Sequence, residues 1–184
     1  DENGGISVNT NAAIEMADGE YLMLCDHDDT LEPDALYEIV RAVNEKSADV
    51  IYTDEDKVSM DGQHYFDPNF KPDYNLFRLR ENNYICHIFV VRKSLADKVG
   101  YLRTEFDGAQ DFDFIFRCCE QADSIVHIPR VLYHWRCHMD STAADPESKK
   151  YAYEAGRNAI REHYQRLGID ASVETTDRPG WYRS

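Results

Sequence analysis

Tyr21-Leu22-Met23-Leu24-Cys25-Asp26-His27-Asp28-Asp29 is the stretch that decides the fold class. Five residues with no charge run straight into three carboxylates. A short continuous apolar run is the pattern of a strand buried in a sheet covered on both faces. Downstream, Thr30 predicts an N-cap and Pro33 a first helical turn, with a helix running through about Lys46. Leu36, Ile39, Val40 and Val43 are spaced for its buried face. Upstream, Ile6 to Ala17 reads as a helix with Ile6, Ala13, Ile14 and Ala17 as its apolar face, stopped by Asp18-Gly19. Asp49 to Thr53 reads as a second strand, with Val50, Ile51 and Tyr52 inside. Alternating helices and strands predict an α/β fold.

The rest of the chain extends this plan. Asp61-Gly62 is a turn signal, and Phe66 to Asn83, with two prolines and several aromatics, reads as a long loop wrapping the surface. Tyr84 to Val91 predicts a strand and Ser94 to Val99 a short helix ended by Gly100. Ala109 to Ala122 predicts a helix with Phe112, Ile115, Phe116 and Cys119 on one side. Ile125 to Trp135 is extended and broken by Pro129. Glu147 to Leu167 is the longest helix, with Gly168 as its C′ residue. Ala171 to Ser184 is a tail of weak strand character. We divide the chain into a central block, 1–122, and a C-terminal strand, helix and tail, 123–184, within one domain.

The 184 residues suffice for one domain with a sizeable core, and 42% hydrophobic residues is ordinary for a globular protein. No apolar run approaches the roughly 20 residues that span a bilayer, and no signal peptide is visible. The chain also lacks an initiating Met, so it reads as a piece of a longer protein. Its 35 acidic and 20 basic residues give a formal charge of -15, which repels phosphate backbones and excludes nucleic acid as a partner. An anionic small substrate meets the same repulsion, and a divalent cation held by carboxylates would offset it. The five Cys include no C-x-x-C pair, so neither a zinc site nor a disulfide framework is expected. Reduced thiols fit a cytoplasmic location, with contact to the inner face of a membrane left to other parts of a longer protein.

Four segments carry candidate chemistry. Ligands of α/β sheets gather beyond the carboxyl ends of strands, where Asp26, Asp28 and Asp29 fall. Clustered carboxylates repel one another unless a cation joins them, and oxygen ligands select Mg²⁺ or Mn²⁺. The plainer reading is a solvated acidic loop. Gly108-Ala109-Gln110-Asp111-Phe112-Asp113 opens a helix with acidic residues, and a carboxylate there could accept a proton from a sugar hydroxyl. Taken alone, a favourable first-turn charge is the commoner reason for such residues. Tyr133-His134-Trp135-Arg136-Cys137-His138 offers Arg136 and His138 to a diphosphate and His134 to a metal shell, or else an edge strand with a core Trp. Thr53-Asp54-Glu55-Asp56-Lys57 either lines the same cleft or is an exposed charge run.

Together these segments resemble glycosyltransferase family 2. Gly5-Ile6-Ser7, Asn11-Ala12-Ala13, Gly19-Glu20-Tyr21, the acidic cluster and Leu31-x-Pro33-x-Ala35-Leu36 look like that family's central block. The resemblance implies a partial GT-A (Rossmann-like) mixed sheet flanked by helices, with a long C-terminal helix. It puts the family's D-x-D motif on Asp26 and Asp28, with Asp28 the direct metal ligand and Asp26 nearer the nucleoside or metal. Asp29 and Gln110 then lie on the donor side. The family's catalytic base falls on Asp111; Gln110 stands where many members have Glu. Tyr52-x-Asp54-Glu55-Asp56-Lys57, Lys71-Pro72-Asp73 and Leu132-Tyr133-His134-Trp135-Arg136 look like the branch that builds bacterial cell-surface polysaccharides, where two such domains often occur in tandem. Pro179-Gly180-Trp181-Tyr182-Arg183 resembles the linker before a second domain. Implied partners are a nucleotide-sugar donor and a saccharide or lipid-linked saccharide acceptor, and the implied reaction is inverting. The family's first strands, which hold the nucleotide base, would precede residue 1. The isolated 184 residues are therefore expected to turn over little or no donor.

Two competing readings stand beside it. Leu24-Cys25-Asp26-His27-Asp28-Asp29-Thr30-Leu31 also fits the signature of haloacid-dehalogenase-type phosphatases, with Asp26 as nucleophile and Asp28 as acid/base. The second is a non-catalytic binding domain. An EF-hand is excluded because Leu31 stands where that loop needs Gly.

Overall fold

β3, Val50–Val58, is the strand around which the sheet is built in the computed structural model, which describes residues 3–137 and 150–184. The elements before it are α1 (Gly5–Met16), β1 (Tyr21–Leu24), β2 (Thr30–Leu31) and α2 (Ala35–Lys46). After it come β4 (Tyr65–Asn69), α3 (Leu76–Glu81), β5 (Phe89–Arg92), α4 (Lys93–Val99), a 3-10 turn at Thr104–Phe106 and α5 (Gln110–Gln121). β6 (Ile125–Arg136), α6 (Lys150–Arg166), β7 (Glu174–Thr175) and β8 (Tyr182–Arg183) complete the fold. The six-stranded sheet runs β1-β5-β3-β6-β2, with β4 also on β3. β3 and β6 are parallel and the other pairings antiparallel, so the sheet is mixed.

β3 changes partner along its length. Val50 to Tyr52 pair with β5, whereas Glu55 to Val58 pair with β4. The register with β6 shifts at Thr53, Asp54 and Glu55, opposite Pro129 and Arg130. Proline cannot donate to a ladder, so it sits where the pairing is broken. Alternation along β3 sends Val50 and Tyr52 to one face and Ile51 to the other. The first face packs with Phe89 and Val91 against Phe112, Ile115 and Phe116 of α5 and Ile160 and Tyr164 of α6. The second packs with Val90, Val126 and Leu132 against Ala35, Ile39 and Ala42 of α2. Helices therefore cover both faces, the α/β arrangement expected. Among the described residues no helix is long and apolar enough to cross a membrane.

Several local expectations need correction. β1 lies at the sheet edge with only Leu22 fully buried, yet its side chains alternate between both covered faces, Leu22 and Leu24 on one core and Tyr21 and Met23 on the other. In α1 Ile14 and the polar Ser7 are buried while Ile6 is 53% exposed. That helix docks through polar contacts instead: Ser7 donates to Asp107, and the Asn11 amide bonds Leu102 in both directions at 2.8 and 2.9 Å. Thr30 is no N-cap, because it pairs with His134 in β2, and Pro33 precedes a helix that begins at Ala35. The buried face of α2 is Ala35, Glu38, Ile39 and Ala42; Leu36 and Val40 point outward. Arg130 permits Glu38 to be buried by donating to it at 2.6 Å. Residues 66–83 hold β4 and α3 rather than one loop. The charge run 54–57 is the second half of β3, and the tail forms the β7–β8 hairpin. The start of the predicted long helix, Glu147 to Lys149, lies outside the described residues.

α5 is buried from Phe112 to Cys119, and its one buried anion, Asp113, is fully paired. Arg103 meets it at 2.5 and 3.1 Å and Arg117 at 2.8 and 3.0 Å. Arg117 also donates to the carbonyls of Val99, Gly100 and Tyr101, closing the end of α4. Asp113→Ala would leave two guanidinium groups without their shared anion. A loss of about 3–5 kcal/mol in urea denaturation is expected.

Candidate functional site

The loop between β1 and β2 carries the acidic cluster and is held by β6. Tyr133 donates to the Asp29 carboxylate and accepts the Asp26 amide N–H at 3.3 Å. Burial, reinforced by the bond to Asp29, holds the Tyr133 phenol well above its ordinary pKa, so it remains a donor. The backbone N–H of Arg136 gives the other Asp29 oxygen a bond of 2.7 Å. The Arg136 guanidinium donates to the Asp28 carbonyl at 2.7 Å and to the carbonyls of Met60 and Ser59 at 3.0 and 3.3 Å. Asp29 and Arg136 thus fix the loop, and Asp26 and Asp28 keep side chains 58% and 38% exposed.

His87, which the sequence did not single out, faces this cluster. Its Nε2 lies 3.5 Å from Asp26, and its ring stacks on Tyr133 at 5.2 Å between centroids. Desolvation raises the Asp26 pKa; His87 opposes that rise, and Asp29, Asp28 and Asp111 add to it. Segment 83–87 runs between the two carboxylates: His87 faces Asp26, and Asn83 bonds Asp111. Asp111 opens α5 and accepts from the Asn83 amide at 2.8 Å. Beside it, burial and the Asp111 charge push the Cys86 thiol well above its ordinary range. Gln110 is turned to the loop before the helix, where it accepts from the Gly108 N–H at 2.8 Å.

The position of His87 is set from below. Lys71, with a side chain of zero exposure, donates to Glu55 at 3.0 Å and to the carbonyls of Ile85 and His87 at 3.1 and 2.5 Å. Glu55 also accepts the His87 N–H at 2.5 Å. Asp54 takes the Lys71 backbone N–H at 2.9 Å and His127 Nε2 at 2.8 Å. The charge run on β3 is thus a buried anchor for the segment that carries His87. The sequence signals for it were Tyr52-x-Asp54-Glu55-Asp56-Lys57 and Lys71-Pro72-Asp73, both read by resemblance.

One expected site residue sits elsewhere. Strand alternation turns His134 away from Tyr133, and its ring is held between Asp56 at 2.6 Å and Glu32 at 3.3 Å. It is not brought together with Asp26 and Asp28, and the Arg136 guanidinium is engaged by backbone carbonyls. His138 lies outside the described residues. Among the described residues no three His, Cys, Asp or Glu side chains converge on one point suited to a cation. The donor set that fits is one or two carboxylates completed by ligand oxygens, the way Mg²⁺ and its kin meet phosphorylated substrates.

Residues 1–100 match the family described as Glycosyl transferase family 2. The chain is 46% identical to the y4gI protein of Sinorhizobium fredii, over 89% of this chain and 18% of that protein. It is 37% identical to the O-antigen biosynthesis protein RfbC of Myxococcus xanthus, over 95% of this chain and 14% of that protein. It therefore spans less than a fifth of these curated relatives. Among solved structures, TarS 1–349 of S. aureus in complex with UDP-GlcNAc superposes with a TM-score of 0.65 at 21% identity, over 93% of this chain and 49% of that one. The mannosyltransferase PcManGT of Pyrobaculum calidifontis with GDP-Man and Mn²⁺ gives 0.58 at 13% identity, over 93% and 46%. These likenesses establish a GT-A-like fold.

Lys71→Met would leave Glu55 buried without its cation, at an expected cost of about 3–5 kcal/mol in chemical denaturation. Adding Glu55→Gln should recover part of it, so that the double variant loses less than the sum of the two single variants.

Proposed function

The chain belongs to glycosyltransferase family 2, and from that premise we propose that it carries the catalytic cleft of an inverting, metal-dependent glycosyltransferase of cell-surface polysaccharide synthesis. The observation that carries the reading is that one segment, 83–87, touches both carboxylates, Asn83 bonding Asp111 and His87 facing Asp26. The donor is a nucleotide-diphosphate sugar and the acceptor a saccharide. TarS crystallised with UDP-GlcNAc and RfbC named for O-antigen biosynthesis support those classes. The phosphatase alternative falls with the family assignment.

In this reading Asp111 accepts the proton of the attacking acceptor hydroxyl, while Asn83 fixes the carboxylate's direction. The hydroxyl oxygen bonds to the anomeric carbon as the nucleoside diphosphate leaves from the opposite side, which inverts the centre. Asp28, with Asp26, would hold Mn²⁺ or Mg²⁺, whose Lewis acidity stabilises charge developing on the leaving diphosphate. His87 lies against Asp26 and offers a ring N–H near the same charge. Tyr133 and the Arg136 backbone hold Asp29, and through it the loop's shape, before any ligand arrives.

In a preparation that turns over a nucleotide sugar, Asp111→Asn should lower the turnover rate about a hundred- to ten-thousand-fold, with nucleotide binding nearly unchanged. Single-turnover kinetics beside calorimetric titration with the nucleoside diphosphate separates the two. Turnover preserved in the variant would remove Asp111 from the mechanism.

A further inference from the structure

Both tryptophans of the chain, Trp135 and Trp181, line one cavity of about 450 Å³. It lies between the second half of β3, the segment from Asp67 to Pro72 and the β7–β8 hairpin. Its size is that of a small-molecule site, roughly 300–1,000 Å³. Phe70, 73% exposed, stands at the same cavity. One wall is continuous with the reaction cleft: Trp135 stacks on His87 at 6.4 Å, and His87 faces Asp26.

The charges of this cavity are not balanced. Its three carboxylates have partners inside the protein: Glu55 has Lys71, Asp56 has His134 and Asp67 has Lys57. Arg78 shares Glu81, 3.2 Å away and outside the cavity wall. Arg178 has no carboxylate partner among the described residues. Both guanidinium groups lie 4.2 Å from the centre of the Trp181 ring. A guanidinium resting on a ring keeps its in-plane N–H donors available for a planar, bidentate partner. Among the described residues Arg178 is thus a cation without a carboxylate, held against an indole ring at the cavity wall.

We propose that this cavity is the acceptor subsite and that it takes a saccharide bearing a carboxylate, a uronate, whose carboxylate meets Arg178. The proposal rests on the glycosyltransferase reading for the word acceptor, and on the cavity alone for the ligand class. Trp181 is held between the Arg78 and Arg178 guanidinium groups, so the ring fixes the cations and their N–H donors, not its faces, meet the ligand. The sugar's equatorial hydroxyls then meet the cavity's polar rim. A bound saccharide would run from the hairpin past Trp135 towards His87 and Asp111, bringing one hydroxyl to the base.

Tryptophan emission reports this cavity directly, since the chain has no other Trp. Trigalacturonate, maltotriose and UDP serve as probes. Trigalacturonate should shift the emission saturably, and Arg178→Ala should weaken it about three- to tenfold while leaving the weak maltotriose response unchanged. Arg178→Glu should weaken it further, and far-UV circular dichroism checks that both variants fold. Equal binding of trigalacturonate and maltotriose, or equal trigalacturonate binding by wild type and Arg178→Ala, overturns the proposal. A tighter, Arg178-dependent response to UDP overturns it in favour of a nucleotide. Should Asp111→Asn abolish transfer while trigalacturonate fails to bind, the uronate assignment alone falls. Should trigalacturonate bind through Arg178 while Asp111→Asn leaves transfer intact, the cavity stands and the catalytic reading falls.

Discussion

The buried Lys71–Glu55 pair is the interaction on which the site depends. It occupies the point where β3 leaves β5 and takes up β4, a place where a sheet would otherwise present unpaired backbone groups to the interior. Lys71 answers that need by donating to two backbone carbonyls as well as to Glu55, and Glu55 by accepting the His87 N–H. Taking the ammonium out of water lowers the Lys71 pKa, and Glu55 opposes the shift. Such a pair adds little net stability compared with an apolar substitute, but breaking it is costly. Its effect here is positional. It fixes the segment from Ile85 to His87, and with it the ring that faces Asp26.

The strongly acidic composition is distributed unevenly. Asp113 with Arg103 and Arg117, Glu38 with Arg130, and Glu120 with His163 and Arg166 are paired at helix contacts. At Glu120 desolvation raises the pKa, but bonds from His163 and Arg166 outweigh it and the net shift is downward. At Asp26 the balance runs the other way, because burial and three neighbouring carboxylates outweigh one histidine. The protein therefore compensates its negative charge where helices pack and leaves it under-compensated at the β1–β2 loop. That difference, rather than the number of acidic residues, sets the β1–β2 loop apart from the paired acidic residues at the helix contacts.

Two acidic residues two positions apart at the start of α5 illustrate how geometry separates like from like. Asp111 and Asp113 both satisfy the helix dipole. Their directions differ by roughly 200° around the helix axis, which follows from about 100° per residue. Asp113 turns inward to two arginines, while Asp111 turns to Asn83 and the cleft. β6 makes the same separation with a period of two: Tyr133 and Trp135 face the His87 side, and His134 faces Asp56 and Glu32.

The sequence by itself determined the class of fold, the acidic cluster, the base candidate at Asp111 and the family, because these are local: a run of apolar residues, a cap, an order of short motifs. It misjudged α1 and the faces of α2, since apolar residues on an outer helix face look the same in a sequence as buried ones. Only the tertiary structure decided that Arg136 clamps a loop, that His134 belongs to Asp56, and that His87, Asn83 and Lys71 serve the cleft. Those residues are brought together by a strand that changes partners. Pairing across a sheet leaves no periodicity in the chain from which it could be read.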